Sequence, residues 1–453
     1  MVLTSSSLTI SPDEYGLLTD LYQLTMAACY VGESIDQRRA SFELFARRLP
    51  EGFGYLIAMG LAQALDYLEH LQFTSRQIEQ LQGSGIFHHA PDRFWQLLAA
   101  AKFTGDVWAV PEGTAVFANE PLLRVEAPLW QAQLVETYLL NTLNYQTLIA
   151  TRSARMRDVA GTEATLLEFG SRRAFSPQGA MWAARAAIAA GFNATSNVLA
   201  ALKLGQTPTG TMAHALVMAI AALEGSEADA FDAFHRYFPG APLLIDTYDT
   251  VAAAEHLAHR LKAGSPAMAG VRIDSGDLIE LSQQVRSRLP EMPIFASGDL
   301  DEAEILRLKQ AGAAIEGYGI GTKLVTGRPV NGVYKLVDID GIPVMKESSG
   351  KVTYPGRKQV FRRIEAGQVV SDRLGLMSDT PNADETPLLH LVVKQGQRLV
   401  EDEPLEAIAA RTARSVAALP PSVRQINNAQ PLSVQPSEAL LAMTETTRQN
   451  AAP

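Results

Sequence analysis

The sequence predicts an α/β protein in which a run of parallel strands and helices is flanked by a sandwich domain built from both chain ends. From about Gln146, short β-rich segments alternate with alanine-rich stretches of helical length. This alternation is typical of a βα barrel or an open doubly wound sheet. The parts before about Val135 and after about Val330 mix strands and turns with amphipathic helices.

The changes in pattern set the predicted domain boundaries. The chain has 453 residues, 47% apolar and 19% charged, which is enough for two or three well-filled domains. We expect residues 1–140 and 332–430 to form the α/β sandwich domain and residues 141–331 to form the βα barrel that carries the site. Residues 431–453 are expected to form a C-terminal tail with a short helix. A turn is predicted at "DIDG", residues 338–341.

Composition and charge argue against several classes of protein. A net charge of −10 without a basic tract does not suit a protein that binds nucleic-acid phosphates. The longest apolar runs are shorter than the roughly 20 residues of a membrane span, and the N-terminal segment lacks signal-peptide features. The single cysteine, Cys29, precludes an internal disulfide and fits a reducing compartment. We therefore expect a cytoplasmic protein with no nucleic-acid or membrane partner.

Seven segments are predicted as strands of the βα region: "ATLLEFGSR", "NATSNV", "PTGTMAHAL", "PLLIDTYDT", "AGVRIDSGD", "MPIFASGDLD" and "IEGYGIGTKL". Each finishes in polar residues, namely Arg172, Ser196, His214, Asp246, Asp274, Asp299 and Thr322. The C-terminal strand ends form the active face of such barrels, and helix caps alone explain so many polar ends poorly. The helix in "SPQGAMWAARAAIAAG" is predicted to have Ser176 as its N-cap, Pro177 at its first position and Gly191 beyond its end.

His214 lies in an otherwise small and apolar run, "GTMAHALVMAIAAL". A buried histidine without a partner would cost about 1 to 3 kcal/mol, so a neighbour is expected at its nitrogens. From the residues alone two interpretations remain open. One is a core histidine bonded to a backbone carbonyl, and the other is a reactive imidazole at a strand end.

Two glycine-containing segments are candidates for a phosphate site. In "GYGIGTKL", Gly317, Gly319 and Gly321 allow backbone amides to approach a phosphate, and Thr322 adds a hydroxyl group. In "FASGDLDE", Gly298 permits close backbone approach, and Asp299 can bond a ribose hydroxyl or cap the next helix. A plain glycine turn stays as the alternative. Neither a Walker loop nor a dinucleotide fingerprint is present.

Two further segments carry charged and aromatic candidates. Strand alternation in "VRIDSGDL" places Arg272 and Asp274 on one face, which suits a sugar diphosphate with magnesium or a self-neutralising ion pair. In "EFGSRRAFSPQG", Phe169 can stack on a flat ring and Arg172 can hold an anion. Together these groups indicate a planar acidic substrate and a phosphorylated sugar. The sequence contains neither the motif of serine hydrolases nor that of zinc proteases, and it has no pair of cysteines.

The sequence resembles the nicotinate phosphoribosyltransferase family over nearly the whole chain. The motifs that carry the resemblance are "LLTDLYQLTMA", "FELFARRLPEGFGYLIAMGL", "EFGSRRAFSPQGA", "GFNATSNVLA", "GTMAHA", "LLIDTYDT", "GVRIDSGDL", "ASGDLDE" and "GYGIGTKL". The resemblance implies a type II phosphoribosyltransferase fold, an irregular βα barrel packed against the sandwich domain, and a homodimer. It also implies the first step of NAD salvage, in which nicotinate and 5-phosphoribosyl 1-pyrophosphate give nicotinate mononucleotide and pyrophosphate.

The same resemblance implies residue roles, Mg²⁺ as cofactor and ATP as co-substrate. His214, Arg172 and Asp274 would be catalytic, with His214 phosphorylated by ATP and Asp274 holding the ribose hydroxyls through magnesium. Tyr22 and Phe169 would sandwich the pyridine ring. The remaining substrate-binding residues would be Ser196 at the ring, Arg272 at the diphosphate, and Gly298, Asp299, Gly319, Gly321 and Thr322 at the 5′-phosphate and ribose.

Ser196 carries the hypothesis that the substrate is the acid and not the amide. The related nicotinamide-using enzymes have an aspartate at this position, which would repel a carboxylate, whereas a serine donates to it. A nicotinamide phosphoribosyltransferase and a catalytically inactive nucleotide-binding homologue are the alternatives. A barrel aldolase would need a Schiff-base lysine, for which Lys323 is the candidate.

Overall fold

The computed structural model describes residues 8–266, 268–348 and 351–451. The chain divides into two compact units. The first comprises residues 1–148, 329–407 and 417–453, and the second comprises 149–328 and 408–416. The second unit thus starts later than the predicted residue 141 and includes helical residues from the C-terminal part. Helix periodicity continues without interruption over Glu136–Ala160, so the sequence shows no break at the boundary.

Within the described residues, the first part of the chain forms five helices, five strands and a long sixth helix, preceded by a 3-10 helix at Pro12–Leu17. The helices are α1 Leu21–Gly32, α2 Leu61–Glu69, α3 Ser75–Gly83, α4 Asp92–Ala99, α5 Leu129–Leu134 and α6 Glu136–Ala160. The strands are β1 Arg39–Ala46, β2 Leu56–Ile57, β3 Asp106–Ala109, β4 Ala115–Val116 and β5 Pro121–Pro128.

The middle of the chain alternates strands with helices, as the sequence predicts. Its strands are β6 Thr165–Glu168, β7 Ala194–Thr195, β8 Leu243–Leu244, β9 Val271–Ile273, β10 Ile294–Ser297 and β11 Gly317–Ile320. Its helices are α7 Pro177–Ala189, α8 Val198–Lys203, α9 His214–Glu224, α10 Glu227–Tyr237, α11 Thr250–Lys262, α12 Leu278–Arg288, α13 Glu302–Gln310 and α14 Thr322–Val325.

The last part of the chain returns to strands and then to helices. Its strands are β12 Gly332–Ile339, β13 Ile342–Pro343, β14 Glu347–Ser348, β15 Lys351–Val352, β16 Lys358–Glu365, β17 Gln368–Leu376, β18 Glu385–Pro387, β19 His390–Lys394, β20 Gln397–Arg398 and β21 Val434–Pro436. Its helices are α15 Leu405–Ala417, α16 Pro421–Arg424 and α17 Glu438–Ala451.

The first unit is built on antiparallel strands from both ends of the chain. One sheet has the order β13-β12-β1-β5-β3-β19-β20, and a second sheet has the order β18-β16-β17-β21. Strand β1 pairs with β5 on one side and with the distant β12 on the other. A continuous apolar core joins these strands to the helices, and Leu44, Leu65, Leu123 and Val360 are fully buried in it.

The second unit contains a six-stranded parallel sheet in the order β7-β6-β11-β10-β9-β8. Residues 208–212 link its two edge strands. The amide of Thr209 donates to the carbonyl of Thr195 on β7, and the hydroxyl of Thr211 donates to the carbonyl of Pro242 before β8. Through these two hydrogen bonds, a segment without regular secondary structure connects the two edges of the sheet. The sheet is therefore an irregular barrel.

The strand predicted in "PTGTMAHAL" is wrong. Residues 206–213 form no regular strand, and His214 is the first residue of helix α9 and does not end a strand. Pro208 lacks an amide donor and Gly210 weakens extended pairing, so this segment makes isolated hydrogen bonds in place of a ladder. The other six predicted strands are present.

Local signals for helix ends and turns are confirmed. The hydroxyl of Ser176 accepts from the amide of Gly179 at the start of α7, and Gly191 follows the helix with φ of 106°. Asp340 and Gly341 join β12 to β13 with φ of 51° and 81°. Two consecutive positive φ angles are the geometry of a tight hairpin turn, which explains the "DIDG" signal.

The segment predicted as a C-terminal tail is largely ordered. Strand β21 pairs with β17, and Leu440 of α17 is fully buried in the core of the first unit. The polar sequence of this end masks a narrow apolar stripe, which is enough to hold a helix against the sheet. None of the helices in the described ranges has the length and apolar character needed to cross a membrane.

Candidate active site

The candidate site lies at the C-terminal ends of the parallel strands in the second unit. Strand pairing aligns the ends of β6, β7, β9, β10 and β11 at one edge of the sheet. Two adjoining cavities open there, with volumes of about 580 Å³ and about 290 Å³. They share the side chains of Phe169, Arg172 and Arg272.

The larger cavity has the features of a site for a flat acid. Phe169, Arg172 and Ser196 line it, together with the backbone of residues 208–213. The guanidinium of Arg272 lies 5.9 Å from the ring centroid of Phe169. An aromatic face with two arginines and a hydroxyl donor can bind a planar ring that bears a carboxylate.

The smaller cavity has the features of a phosphate and ribose site. It is lined by Gly298, Asp299, Gly319, Gly321 and Thr322, as well as by Asp274 and Arg173. Gly298 has φ of 90°, and a Cβ atom there would overlap the carbonyl oxygen of Asp274. The absence of a side chain therefore allows strand ends to come close and leaves backbone amides accessible to an anion.

Asp274 is held in place by two neighbouring strand ends. The hydroxyl of Ser297, at the end of β10, donates to Oδ1 of Asp274 at 2.5 Å. Asp246, after β8, accepts from the amide of Asp274 at 2.9 Å and from the hydroxyl of Ser275 at 2.6 Å. The Asp274 side chain is 37% exposed, so its carboxylate remains accessible to a ligand.

Arg272 is a largely buried cation at the junction of the two cavities. Its Nη2 donates to the carbonyl of Met212 at 2.9 Å, and its Nη1 lies 3.9 Å from Oδ1 of Asp274. Burial lowers the pKa of this guanidinium, the charges of Asp274 and Asp246 oppose that shift, and the positive charge of nearby Arg172 adds to it. A second anion in this place would relieve the repulsion between the two arginines.

His214 is oriented by a residue of the next βα loop. Its Nδ1 lies 3.1 Å from the hydroxyl oxygen of Thr247, and its side chain is half-buried. It directly follows Ala213, which lines the larger cavity. The interpretation as a core histidine bonded to a backbone carbonyl is therefore wrong, and a partly accessible, oriented imidazole is present.

Family models match three consecutive parts of the chain. The nicotinate phosphoribosyltransferase N-terminal domain matches residues 17–144, the family model matches 164–360, and the C-terminal domain matches 378–444. A nicotinate phosphoribosyltransferase of Mycobacterium tuberculosis H37Rv is 42% identical over 91% of this chain and 89% of its own. One from Bacillus subtilis is 45% identical over 78% of this chain and 74% of its own. The chain belongs to the nicotinate phosphoribosyltransferase family.

Solved structures agree with the family assignment. The crystal structure of human nicotinic acid phosphoribosyltransferase has a TM-score of 0.83 and 30% sequence identity, and it covers 94% of this chain and 99% of its own. A nicotinate-nucleotide pyrophosphorylase from Pyrococcus furiosus shares the fold, with a TM-score of 0.75 at 24% identity. The predicted resemblance and the predicted type II phosphoribosyltransferase fold class are confirmed.

Within the nicotinate phosphoribosyltransferase fold, Tyr22 is the one predicted site residue that belongs to the first unit. It lies near the start of α1 and is 47% exposed. Partial burial, followed by the charges of Glu136 and Asp20, raises the pKa of its hydroxyl. The ring-stacking role given to Tyr22 stays a prediction.

Four residues that the motifs do not identify support the loops of the site. These are Glu168, Thr195, Thr247 and Ser297, which hydrogen-bond to neighbouring loops or to predicted site residues. Each lies inside or next to a quoted strand segment, but the sequence does not show which side chain it meets. The aldolase candidate Lys323 instead lies 3.4 Å from the carboxylate of Asp301.

No cluster of three or more His, Cys, Asp or Glu side chains in the described ranges is arranged to bind a metal ion. Asp274 and Asp299 are carboxylates that line the smaller cavity together with arginines and glycines. Mg²⁺ is commonly held by one or two carboxylates together with substrate phosphates. The residues present therefore fit magnesium that arrives with a diphosphate substrate.

Proposed function

We propose that this protein is a nicotinate phosphoribosyltransferase, which forms nicotinate mononucleotide and pyrophosphate from nicotinate and 5-phosphoribosyl 1-pyrophosphate. One observation carries the proposal: a cavity suited to a flat acid and a glycine-lined cavity suited to a phosphorylated sugar share Arg172 and Arg272. Such a shared wall suits two reactants that exchange a group. Membership in the family supports the same reaction.

The pyridine is bound and oriented in the larger cavity. Phe169 offers a face for stacking, and the hydroxyl of Ser196 donates to the carboxylate. Binding in this way aims the ring nitrogen at C1 of the ribose. That nitrogen already has a free lone pair, so orientation replaces a general base.

The sugar is held by both cavities while the bond to its leaving group breaks. Arg172 and Arg272 bind the diphosphate, and the amides near Gly298 and Gly319 bind the 5′-phosphate. As the bond from C1 to the diphosphate oxygen breaks, the new bond from C1 to nitrogen forms, and pyrophosphate leaves with the electron pair. The carboxylate of Asp274 would stabilise the positive charge that develops on the ribose.

Magnesium would neutralise part of the diphosphate charge and so make pyrophosphate a better leaving group. Asp274 is the residue of this chain that would hold it, because its carboxylate is accessible, lies close to Arg272 and lines a cavity that Arg172 also lines. Ser297 and Asp246 keep this carboxylate and its backbone in place without neutralising its charge.

ATP coupling is proposed to act through His214. A histidine that accepts a phosphoryl group must be neutral at its nucleophilic nitrogen and oriented at the ring. Two observations support this role: the contact to Thr247, which can orient the imidazole, and the neighbouring residue Ala213, which lines the larger cavity. Transfer of the γ-phosphoryl group of ATP to the imidazole nitrogen would break its bond to the β-phosphate oxygen and release ADP. The negative charge added to His214 would favour release of pyrophosphate.

A homodimer is the proposed assembly, in a cytoplasmic setting that suits a chain with one cysteine. The exposed apolar side chains of the second unit include Phe175 and, on or beside helix α8, Val198, Leu199 and Leu202, each more than half exposed. Val198 also lines the larger cavity. A second copy of the chain covering this patch would bury these side chains and close the open side of the cavity.

The test is product formation from nicotinate, 5-phosphoribosyl 1-pyrophosphate and Mg²⁺, with and without ATP and with nicotinamide as competitor. We expect nicotinate mononucleotide to form and ATP to raise yield or affinity. Turnover of nicotinamide alone would overturn the acid preference. Turnover of neither pyridine, with retained binding of the phosphorylated sugar, would show an inactive nucleotide-binding homologue.

A further inference from the structure

A buried carboxylate joins the two loops that carry the pyridine-binding residues. Glu168 is the last residue of β6 and has no exposed surface. One of its carboxylate oxygens accepts from the amide of Gly170, and the other accepts from the hydroxyl of Thr195 on the neighbouring strand β7. The hydroxyl oxygen of Thr195 in turn accepts from the amide of Asn197 at 2.9 Å.

These hydrogen bonds end next to the predicted site residues on both loops. Gly170 lies between Phe169 and Arg172, and Asn197 directly follows Ser196. The backbone adds one further link, because the amide of Ser196 donates to the carbonyl of Glu168 at 2.9 Å. We call this series of hydrogen-bonded residues, Gly170–Glu168–Thr195–Asn197, the strand-end brace.

Strand pairing alone does not require an acid at this position. Glu168 and Thr195 are already paired by the parallel sheet, and an apolar side chain would suit a fully buried site. Burying a carboxylate is costly, and desolvation raises the pKa of Glu168, whereas its bonds to Thr195 and Gly170 lower it. The hydrogen bonds made by the buried carboxylate fix the geometry between the two loops.

The loop after β6 also has little freedom to adjust. A Cβ atom at Gly170 would overlap Cγ1 of Val325 and would lie 2.8 Å from the Glu168 carboxylate. The turn is thus confined between the brace and a buried valine. A change in the brace must therefore shift the loop that carries Phe169 and Arg172.

We propose that Glu168 is a positioning residue that, through Thr195, sets the separation between Phe169 and Arg172 on one loop and Ser196 on the other. This separation fixes the width of the pocket for the pyridine acid, so the brace determines affinity for the acid substrate. The inference rests on the proposed function. It concerns residues that touch no substrate themselves.

The test compares Thr195→Val, which removes the hydroxyl at nearly constant volume, with Thr195→Ser, which keeps it. We expect Val to raise the KM for nicotinate about tenfold, as for one lost hydrogen bond to a charged group, and Ser to restore it. The KM for 5-phosphoribosyl 1-pyrophosphate should rise less than the KM for nicotinate. Arg172 lines both cavities, but Ser196 lines only the larger one, and the glycines of the smaller cavity lie on other strands. Nicotinate binding by calorimetry gives a readout independent of turnover.

Thr412→Val is the matched control. Thr412 is a buried threonine of the same unit whose hydroxyl donates to the carbonyl of Ala189 at 2.9 Å. It should lower the melting temperature without a selective change in the nicotinate KM. If Thr195→Val does not fold, Glu168→Gln tests the inference instead. The NH2 group of the glutamine would face either the Gly170 amide or the Thr195 hydroxyl, which are both donors. One hydrogen bond of the brace would then be lost, and the KM for nicotinate should rise.

The outcomes separate the brace from the proposed function. A folded Thr195→Val protein whose nicotinate KM stays within about twofold, or whose two KM values rise together, overturns the brace as a positioning device. A parent protein that neither binds nor converts nicotinate overturns the proposed function, and the role of the brace with it. Selective loss of nicotinate affinity with rescue by serine supports the inference.

Discussion

The hydroxyl oxygen of Thr247 lies 3.1 Å from Nδ1 of His214, and this contact joins the loop after β8 to the first residue of α9. It gives the imidazole a defined orientation next to Ala213, which lines the larger cavity. We predict that Thr247→Val lowers the stimulation by ATP about fivefold to tenfold, the size of one lost hydrogen bond. Initial rates with and without ATP measure this ratio.

Thr247→Ser is the control for this prediction, since it keeps the hydroxyl group. The reaction without ATP should remain close to that of the parent protein in both variants. An equal loss of the rates with and without ATP would contradict an orienting role toward a phosphorylated histidine.

Ser196→Asp should reverse the preference between the two pyridines. An added carboxylate repels the nicotinate carboxylate and accepts from an amide, so the ratio of kcat/KM for nicotinate over nicotinamide should fall on the order of 100-fold. Competition between the two substrates measures the ratio directly. Ser196→Asn, which has the same size without the charge, is the matched control. A Ser196→Asp variant that still preferred nicotinate would contradict the hypothesis that Ser196 sets this specificity.

Gly298→Ala should impair binding of the phosphorylated sugar. The new Cβ would overlap the carbonyl oxygen of Asp274, and φ of 90° is strained for any side chain. We expect at least about a tenfold rise in the KM for 5-phosphoribosyl 1-pyrophosphate. Gly312 also has positive φ, of 73°, but nothing lies within 4 Å of an added Cβ.

Gly312→Ala therefore controls for backbone strain alone. It should cost about 1 kcal/mol of stability without a change in either KM. If both glycine variants affect the KM alike, the close approach at Gly298 does not shape the cavity.

Glu120 of the first unit gives a prediction about pH and stability. Burial raises the pKa of its carboxyl well above 4.5, and the charge of Asp372 adds to the effect. Because the folded pKa lies above the unfolded one, this stabilising contribution is complete below about pH 4.5 and is lost as pH rises through the folded pKa. Glu120→Gln removes that loss.

The free energy of unfolding of Glu120→Gln, relative to the parent, should therefore increase with pH above about 4.5, by up to about 1.4 kcal/mol per pH unit. Urea unfolding at several pH values between about 5 and 8 measures this difference. A difference that stays constant over the range would show that Glu120 is ionised in the folded protein.

The apolar patch on α8 predicts the response of the assembly to charge. Leu199 and Leu202 are 56% and 65% exposed and lie three residues apart on one helix. The double variant Leu199→Glu with Leu202→Glu should convert the proposed dimer to monomer, because buried unpaired charges oppose association. Sedimentation velocity reports the species.

Leu399→Glu provides the matched control, since Leu399 is an exposed leucine of the first unit with 54% exposure. It should leave the sedimentation coefficient unchanged. A parent protein that sediments as a monomer at micromolar concentration would contradict the assembly.

The sequence determined by itself the elements whose signals are local. These are the alternation of strands and helices, the Ser176 cap and the turn at Asp340. Each depends on neighbouring residues, and the structure contains each of them. The motifs also sufficed for the family, because they lie in order along nearly the whole chain. Local propensity and periodicity are written in short windows, so they can be read without coordinates.

Only the tertiary structure decided which side chains meet across strands. The Glu168–Thr195 contact joins residues 27 apart in sequence, and the His214–Thr247 contact joins residues 33 apart. It also decided that His214 starts a helix and that residues 206–213 link the edges of the barrel without pairing as a strand. The outcome depends on how strands are ordered in the sheet and on which donors burial leaves unpaired, and these are properties of the packed fold and not of any local window.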